Sequence, residues 1–292
     1  MGRARRHDGA GAERRLPPGR AVSGLRVRGD DVAIMTSRSF QIQALLTPER
    51  MQGMGFAFAI LPALRRLYPA KEELARALTR HLAYFATHPI LSGFVLGATA
   101  RLEERRANGE SIDDGEIDSF KRSLASPLAA LGDPLFWVTL RPFAGLVGVL
   151  GIAFLPGADF IGPDLRVLLC PLLTLLTYNA VALPFRVFGV ARGYASADRP
   201  GALLQSLRLA EWNHAVARAG ALGYGALLAL VALSLDFGSG RWGADGRSRV
   251  ASLTPLLLGA VIGYAGLRRW PGRGVEVGLG VLAAAAVFAF SM

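Results

Sequence analysis

The fold of this chain is decided by the stretch Ser126-Pro-Leu-Ala-Ala-Leu-Gly-Asp-Pro-Leu-Phe-Trp-Val-Thr-Leu-Arg-Pro142, which is apolar yet carries charges and helix breakers. Asp133 and Arg141 lie inside it together with three prolines. One charge at the centre of a bilayer costs about 2.5–3.5 kcal/mol on insertion scales, and an interior proline breaks or kinks a helix. Broken backbone at membrane depth is tolerated only inside protein or beside a water-filled cavity. The stretch therefore predicts part of a transport site.

The composition of the whole chain also indicates a membrane protein. Of its 292 residues 52% are hydrophobic, and the mean hydropathy is +0.35. Apolar content this high, in long runs, is typical of integral membrane proteins. The net charge of +11 is carried mainly between the apolar runs, and only Lys71 and Lys121 are lysines. Because the arginines form no contiguous polar block, we expect no nucleic-acid binding.

The N-terminal segment, residues 1–34, is rich in Arg, Gly and Pro and has little apolar periodicity. This composition predicts a disordered basic extension. It is either an upstream reading before a true start at Met35 or a short basic tail that touches anionic lipid. It lacks the apolar core of a cleavable signal peptide. We expect its deletion to change neither expression nor membrane insertion.

Residues 35–122 predict an amphipathic, interfacial region of short helices. Residues 101–122 hold five basic and seven acidic side chains and predict a solvated connection. It has a turn at Asn108-Gly109 and a capping signal at Ser111 to Asp114. The helical patterns within the region, each too short to cross a bilayer, are Met54 to Leu64, Lys71 to Phe85 and Ile90 to Ala100.

Residues 123–292 predict the transmembrane region. A span of 20 residues covers roughly 30 Å of bilayer, and the shorter candidates are marginal. The fold class is therefore an all-α, polytopic integral membrane protein. Short amphipathic or re-entrant helices precede three to five transmembrane helices that begin after about residue 130. The candidate spans lie near 135–156, 166–190, 218–236, 252–267 and 275–291.

Asp133 is the leading candidate for substrate contact. Its carboxylate can accept hydrogen bonds from hydroxyl groups of a substrate, or it can cap a helix that starts at Pro134. Trp137 can offer an apolar face to the ring of a substrate, or it can serve as packing or as an interface anchor. Arg141 can pair with Asp133 if the helix is broken; otherwise it pairs with another chain or extends to the interface.

Two further polar positions are candidates. If Thr47 caps a helix that begins at Pro48, Glu49 and Gln52 share one face and present hydrogen-bonding groups together. Glu49 can instead have a capping and dipole role in the first turn. Asn179 lies in an apolar run, where it either lines a pathway or makes a hydrogen bond between helices.

The sequence offers no strong catalytic or metal-binding motif. His81 and His88 lie seven residues apart, but Pro89 ends that helix and no acidic residue lies beside either one in the sequence. We therefore expect no phosphohistidine here. Cys170, the only cysteine, is expected to be a small core residue. No catalytic residue, metal or cofactor is predicted.

Four ordered segments resemble the IID component of mannose/fructose/sorbose-type sugar phosphotransferase systems. They are the opening stretch, Glu49-Arg-Met-Gln52, Leu82 to Pro89 and Glu103 to Asp114, and together they cover most of Arg38 to Tyr194. The resemblance implies a multi-pass subunit of a bacterial cytoplasmic membrane permease. Such a subunit forms a hexose pathway with a IIC subunit in a hetero-oligomer, while soluble IIA and IIB proteins carry the phosphoryl group.

Departures from the family pattern leave an alternative open. Leu46-Thr47-Pro48 stands where the family usually has Trp-Asn-Tyr, Ala86 where it has asparagine, and Ala182 where an arginine is expected. Ser126 and Ala130 replace glycines. Lost hydrogen-bonding groups weaken a sugar site. The alternative is a divergent, non-transporting regulatory or scaffolding subunit of an incomplete phosphotransferase system.

Overall fold

The computed structural model describes residues 24–153 and 163–238. Within these ranges the chain forms nine α-helices and one π-helix, with isolated β-bridges and no strand. The prediction of an all-α protein is confirmed. In chain order the helices are α1 (Gly29–Ser39), α2 (Gly53–Leu67), α3 (Lys71–His81), α4 (Ser92–Ala107), α5 (Asp114–Asp133), the π-helix (Pro134–Leu140), α6 (Arg141–Ala153), α7 (Pro163–Ala195), α8 (Pro200–Ser206) and α9 (Leu209–Gly238).

Helix α5 begins with a capping box. The Asp113 carboxylate accepts a hydrogen bond from the Glu116 backbone N–H at 2.7 Å, and the Glu116 side chain accepts one from the Asp113 backbone N–H at 2.9 Å. These bonds satisfy backbone donors that the first turn leaves without partners. The turn predicted at Asn108-Gly109 is present, with Gly109 at a φ of +101°.

The predicted break at the prolines is wrong. The chain continues from α5 through the π-helix into α6, and residues Asp114–Gly151 form one helical stretch of 38 residues. Pro134 lies at the first position of the π-helix. A π-helical turn bonds residues five apart, so it can absorb the missing N–H of a proline without ending the helix. π-Helical turns inside α-helices are frequent at functional sites.

Among the described residues, two helical stretches are long and apolar enough to cross a membrane, Asp114–Gly151 and Leu168–Ala195. They contain most of the predicted spans 135–156 and 166–190. The predicted span 218–236 lies within α9, and those at 252–267 and 275–291 lie outside the described residues. Only 6% of the most apolar part of Leu168–Ala195 is buried inside the protein. This helix therefore presents its leucines outward, as a helix in lipid or against another membrane subunit does.

Helices α4 and α7 form the closest packing of the fold. Gly93 and Gly97 on α4 face Gly189 and Gly193 on α7. A Cβ atom built at Gly97 would overlap the carbonyl oxygen of Val190, and one at Gly193 would overlap a carbonyl of α4. Glycines spaced four residues apart on both helices let the two backbones approach, as in transmembrane helix pairs. The contact anchors the membrane-crossing helix to the N-terminal helices.

Three predictions in the N-terminal half are corrected by the structure. Helix α1 begins at Gly29 and runs through Met35, which is fully buried, so disorder up to residue 34 is wrong for residues 29–34. Helix α2 begins at Gly53 rather than at Pro48. Residues 101–107 belong to α4, so the predicted connection is shorter than expected. In each case tertiary contacts described below override the local pattern.

Candidate functional site

Three of the four segments singled out in the sequence lie together. The loop before α2 and the loop before α4 run side by side, because Met51 and Phe85 form a parallel β-bridge. The Gln52 backbone N–H donates to the Phe85 carbonyl at 2.8 Å, and the Phe85 N–H donates to the Arg50 carbonyl at 3.2 Å. Both loops pack against the end of α5 and the π-helix through the contacts that follow. We call this arrangement the loop–π-helix site.

Gln52 ties the two loops together. Its side chain is buried, its amide donates to the Thr87 carbonyl at 2.8 Å, and its oxygen accepts from the Thr87 N–H at 3.2 Å. The Thr87 hydroxyl then donates to the Ala125 carbonyl on α5 at 2.9 Å. Gln52 is thus a positioning residue whose hydrogen-bonding groups are already occupied.

The prediction that Glu49 and Gln52 share a helical face is wrong. Thr47 to Met51 form a tight turn closed by a 2.7 Å hydrogen bond from the Met51 N–H to the Thr47 carbonyl. Met51 has a φ of +49°, in the left-handed region that a helix cannot continue through. Glu49 is therefore exposed at the turn while Gln52 points into the protein.

An aromatic stack joins the loop before α4 to the membrane helices. The His88 imidazole stacks on Phe136 of the π-helix with ring centroids 4.8 Å apart, and Trp137 lies 5.6 Å away. Phe136 in turn meets Phe185 of α7 edge-on at 5.8 Å. His88 accepts a 3.3 Å hydrogen bond from the Ile90 N–H at Nδ1. Its buried Nε2 has no hydrogen-bond partner among residues 24–153 and 163–238.

The three polar candidates of the opening stretch are all exposed on its surface. Asp133 has helical backbone angles and makes no side-chain cap, so the predicted capping role is wrong: the helix does not restart at Pro134. Asp133 makes no hydrogen bond to any other described residue. Arg141 places its guanidinium 5.7 Å from the Trp137 ring centroid, so it pairs with Trp137 rather than with Asp133. Trp137 remains 45% exposed.

Asn179 is occupied within its own helix. Its amide donates to the Leu175 carbonyl at 2.8 Å, one turn earlier in α7. The hydrogen bond between helices is made elsewhere, between the Thr139 hydroxyl of the π-helix and Asn213 of α9 at 2.6 Å. This pair was not predicted. Its signal in the sequence was Thr139, a polar side chain in the predicted span 135–156, where such a group finds a partner on a neighbouring helix.

A second polar cluster lies at Glu103, which the sequence placed in a solvated connection. Glu103 is fully buried on α4. It accepts hydrogen bonds from the Tyr68 hydroxyl at 2.7 Å, from Arg80 at 2.8 and 3.1 Å, and from His81 Nε2 at 2.8 Å. His81 therefore has an acidic partner, 22 residues away in the chain. The cluster connects α2, α3 and α4.

The protonation states of the Glu103 cluster follow from burial and hydrogen bonding. Burial alone would raise the pKa of Glu103, but the hydrogen bonds from His81 and Arg80 lower the pKa to about 2. Burial lowers the pKa of His81 although Glu103 opposes the shift, so this imidazole is neutral at pH 7 and donates from Nε2. Burial also raises the pKa of Tyr68, which stays a donor. The cluster is a buried structural network centred on Glu103, and Arg80 links it to exposed Asp114 at 3.0 Å.

The exposed groups of the loop–π-helix site are of kinds that can bind a ligand. Among the described residues no group of three or more His, Cys, Asp or Glu side chains could hold a metal ion. The loop–π-helix site instead offers an exposed carboxylate, an exposed indole and a guanidinium on one helical stretch. Carboxylates bind sugar hydroxyls and aromatic rings pack against sugar C–H faces.

A family model for the IID component of the mannose/fructose/sorbose family of the phosphotransferase system matches residues 26–237. The chain belongs to this family. The match begins at residue 26, nine residues before Met35, so the family region is not limited to the chain after Met35.

Three relatives of this IID-family chain have established names. The mannose-specific EIID component of Escherichia coli K12 is 43% identical over 183 residues, 61% of each chain. The sorbose-specific EIID component of Klebsiella pneumoniae is 39% identical over 62% of this chain and 64% of its own. The fructose permease IID component of Bacillus subtilis is 34% identical over 58% of each. The chain thus spans about three fifths of the length of the relatives it matches.

Two solved structures are similar to this IID-family chain. A structure described as a membrane protein has a TM-score of 0.56 and 39% identity, covering 69% of this chain and 70% of its own. The cryo-EM structure of the mannose transporter ManYZ with microcin E492 has a TM-score of 0.52 and 30% identity. It covers 91% of this chain and 98% of the matched one.

Proposed function

We propose that this chain is a membrane subunit of a mannose/fructose/sorbose-type phosphotransferase permease. It would form the hexose pathway with a IIC subunit in a hetero-oligomer, while IIA and IIB proteins carry the phosphoryl group. The observation that carries this proposal is the family match over residues 26–237. The structural similarity of this chain to a chain of the mannose transporter complex, over 91% of the present chain, supports the proposal independently.

The proposed location is the bacterial cytoplasmic membrane, crossed several times. Two described stretches are long and apolar enough to cross, and α9 carries a third predicted span. The outward-facing leucines of α7 suit lipid or a IIC subunit. The chain is proposed to do no phosphoryl chemistry itself, because both histidines that could be considered are buried away from solvent.

The loop–π-helix site is the proposed contribution to the pathway. Asp133 has an accessible carboxylate, and Trp137 and Arg141 stand one and two turns further along the same stretch. Gln52 acts by positioning, since its amide is used within the protein. Asn179 is likewise bonded within its helix, so it is not assigned a contact with sugar. Glu49 is exposed at the turn before α2 and stays a candidate for such a contact.

The alternative is a regulatory or scaffolding subunit that does not transport. It is favoured by the apolar residues at positions where the family is polar: Ala86 lies in the loop before α4, next to Thr87, and Ala182 is buried on α7. Each removes a hydrogen-bonding side chain from the neighbourhood of the aromatic stack.

An uptake measurement separates these two functions. The full chain is co-expressed with the IIC and IIB proteins of its source, and phosphoenolpyruvate-dependent uptake of labelled mannose, fructose and sorbose is measured with and without it. Uptake that requires this chain establishes the permease subunit and names a substrate. No uptake from a complex shown to assemble in the membrane favours the regulatory role.

Asp133→Asn is the residue-level test of the pathway. It removes the charge but keeps the shape, and we expect sugar uptake to fall about tenfold, because a hydrogen bond to a charged group contributes roughly 1.5–3 kcal/mol. Membrane insertion should be unchanged, since Asp133 bonds no described residue. Glu72→Gln, an exposed acid on α3, is the matched control. Wild-type uptake by Asp133→Asn would remove Asp133 from the pathway.

A further inference from the structure

A cavity of about 860 Å³ lies at the end of α7, away from the loop–π-helix site. Its wall contains four arginines, Arg26, Arg28, Arg66 and Arg101, and one acid, Asp198. The volume is within the range of roughly 300–1,000 Å³ that ligand sites occupy. Like charges held around one space repel each other unless an anion lies between them.

The extended segment 24–28 is fixed in place on α4. The Asn108 side chain accepts hydrogen bonds from the Gly24 and Leu25 N–H groups, each at 3.0 Å, and donates to the Leu25 carbonyl at 2.9 Å. The Val27 N–H donates to buried Glu104 at 2.7 Å. Since side chains alternate along an extended chain, Val27 is buried while Arg26 and Arg28 are exposed.

The other two arginines of the cavity wall, Arg66 and Arg101, are each fixed by an ion pair with a carboxylate. Arg101 pairs with Glu104 and lies 5.7 Å from the Tyr194 ring centroid. The Tyr194 hydroxyl donates to the same Glu104 at 2.5 Å. Arg66 pairs with Asp31 through its Nε, which leaves Nη1 outside the hydrogen bonds it makes with described residues. Guanidinium groups fixed in this way keep further N–H donors for a ligand at little entropic cost.

Two arginines of the cavity wall have no counter-charge among the described residues. Asp198 is paired with Arg105 at 3.2 Å, Arg66 is paired with both Asp30 and Asp31, and Arg101 is paired with Glu104. Arg26 and Arg28 form no ion pair within the described part of the chain. The preceding residues 1–23 contain six arginines against Asp8 and Glu13, so the net charge of that segment is positive as well.

We infer that this cavity binds a phosphate-bearing anion. Arginine is the side chain best suited to phosphate, because its planar group donates two parallel hydrogen bonds to phosphate oxygens. Tyr194 and Ala195 close the stretch Leu168–Ala195, so the cavity lies where a membrane-crossing helix ends. Phospholipid head groups lie at that level, and basic pockets beside transmembrane helices bind anionic lipids. The assignment does not depend on sugar transport.

The experiment uses the full chain purified from membranes in a neutral detergent, with any subunits that remain bound. Binding of short-chain phosphatidylglycerol, of phosphatidylcholine and of inorganic phosphate is measured by isothermal titration calorimetry. We expect phosphatidylglycerol to bind, and Arg26→Gln/Arg28→Gln to weaken its binding about thirtyfold, which is the affinity change that about 2 kcal/mol for two basic residues near an anionic surface produces. Both arginines are exposed, and an unchanged thermal unfolding midpoint verifies the fold of the variant.

The matched control is Arg76→Gln/Arg122→Gln, which removes two exposed arginines elsewhere. It should bind phosphatidylglycerol like the wild type. Phosphatidylglycerol binding that inorganic phosphate does not displace identifies the lipid head group as the source. Binding of inorganic phosphate that is lost in the cavity variant identifies a free phosphate. Equal weakening in both double variants, or no binding of any probe, overturns the proposal.

Discussion

Glu103 accepts hydrogen bonds from three side chains of α2 and α3, and its carboxylate is fully buried. Glu103→Gln keeps the volume but leaves Arg80 without its buried counter-charge. Breaking a buried ion pair in this way costs about 3–5 kcal/mol. We therefore expect a clear fall in the thermal unfolding midpoint of the purified chain. Glu110→Gln, whose partner Arg105 is solvent-exposed, should cost less than about 1 kcal/mol. Equal losses in the two variants would refute a special role for Glu103.

We expect His81 to make the stability of the protein depend on pH. Burial lowers the pKa of its imidazole in the folded chain, whereas an unfolded histidine titrates near about pH 6.5. Below that pH the unfolded chain takes up a proton that the folded chain does not, so stability is full above about pH 6.5 and falls as the pH falls toward the folded pKa. Glu103, Arg80 and Lys121 are the charged groups that act on it.

This dependence is measured from the unfolding midpoint between about pH 8 and pH 5. The wild type should lose stability below about pH 6.5, and His81→Gln should lose this part of the pH dependence even if its midpoint is lower throughout. His214→Gln changes an exposed histidine on α9 and should behave like the wild type. A His81→Gln profile parallel to the wild type would show that the imidazole remains accessible to protons when folded.

At the scale of secondary-structure elements, the α4–α7 contact decides whether the membrane-crossing helix stays attached. Gly97→Ala places a Cβ against the backbone of Val190, which cannot move without separating the helices. Overpacking of this kind costs about 1–3 kcal/mol, so the unfolding midpoint should fall. Gly145→Ala on α6 meets no atom within 4 Å and gains about 0.5–1 kcal/mol of helix propensity. The close packing of the α4 and α7 backbones is supported only if the unfolding midpoint falls in Gly97→Ala and not in Gly145→Ala.

The same scale shows what a sequence can and cannot predict. The turn at Gly109 and the helical pattern of α2 are local signals, and both are found in the structure. The capping signal before α5 is also local, although the cap lies at Asp113 rather than at Ser111. The burial of Glu103 is not local, because its partners on α2 and α3 lie 22 to 35 residues earlier in the chain. The charged residues 101–122 therefore predict a solvent-exposed connection, and only the folded structure shows that Glu103 is buried among distant partners.

The site residues divide along the same line. The position of Trp137 beside Asp133 could be predicted because they share one helical stretch, whereas the pairing of Arg141 with Trp137 depends on a π-helix that proline chemistry alone does not specify. The role of Gln52 was missed because it depends on a turn at Met51 with a positive φ, a conformation that methionine rarely adopts.

At the scale of the whole molecule, the N-terminal segment is part of the folded unit. Val27 and Asp31 connect it to buried Glu104 on α4 and to Arg66 on α2. These bonds join elements far apart in the chain, as the aromatic stack does between the loop before α4 and α7. We therefore expect the segment from residue 24 onward to contribute to stability, although the basic composition of residues 1–34 predicts a disordered extension.

A pair of truncations tests this directly. Deletion of residues 1–34 removes the Val27 bond to Glu104, the Asp31 pair with Arg66 and half of α1. A lost hydrogen bond to a buried charged group alone costs about 1.5–3 kcal/mol, so we expect a lower unfolding midpoint and a lower yield in the membrane fraction. Deletion of residues 1–22 leaves all of these contacts in place and should have the smaller effect. If the two truncated chains unfold at the same temperature, the contacts of residues 24–34 contribute nothing measurable, and the expectation drawn from the sequence alone, that the whole extension is dispensable, is restored.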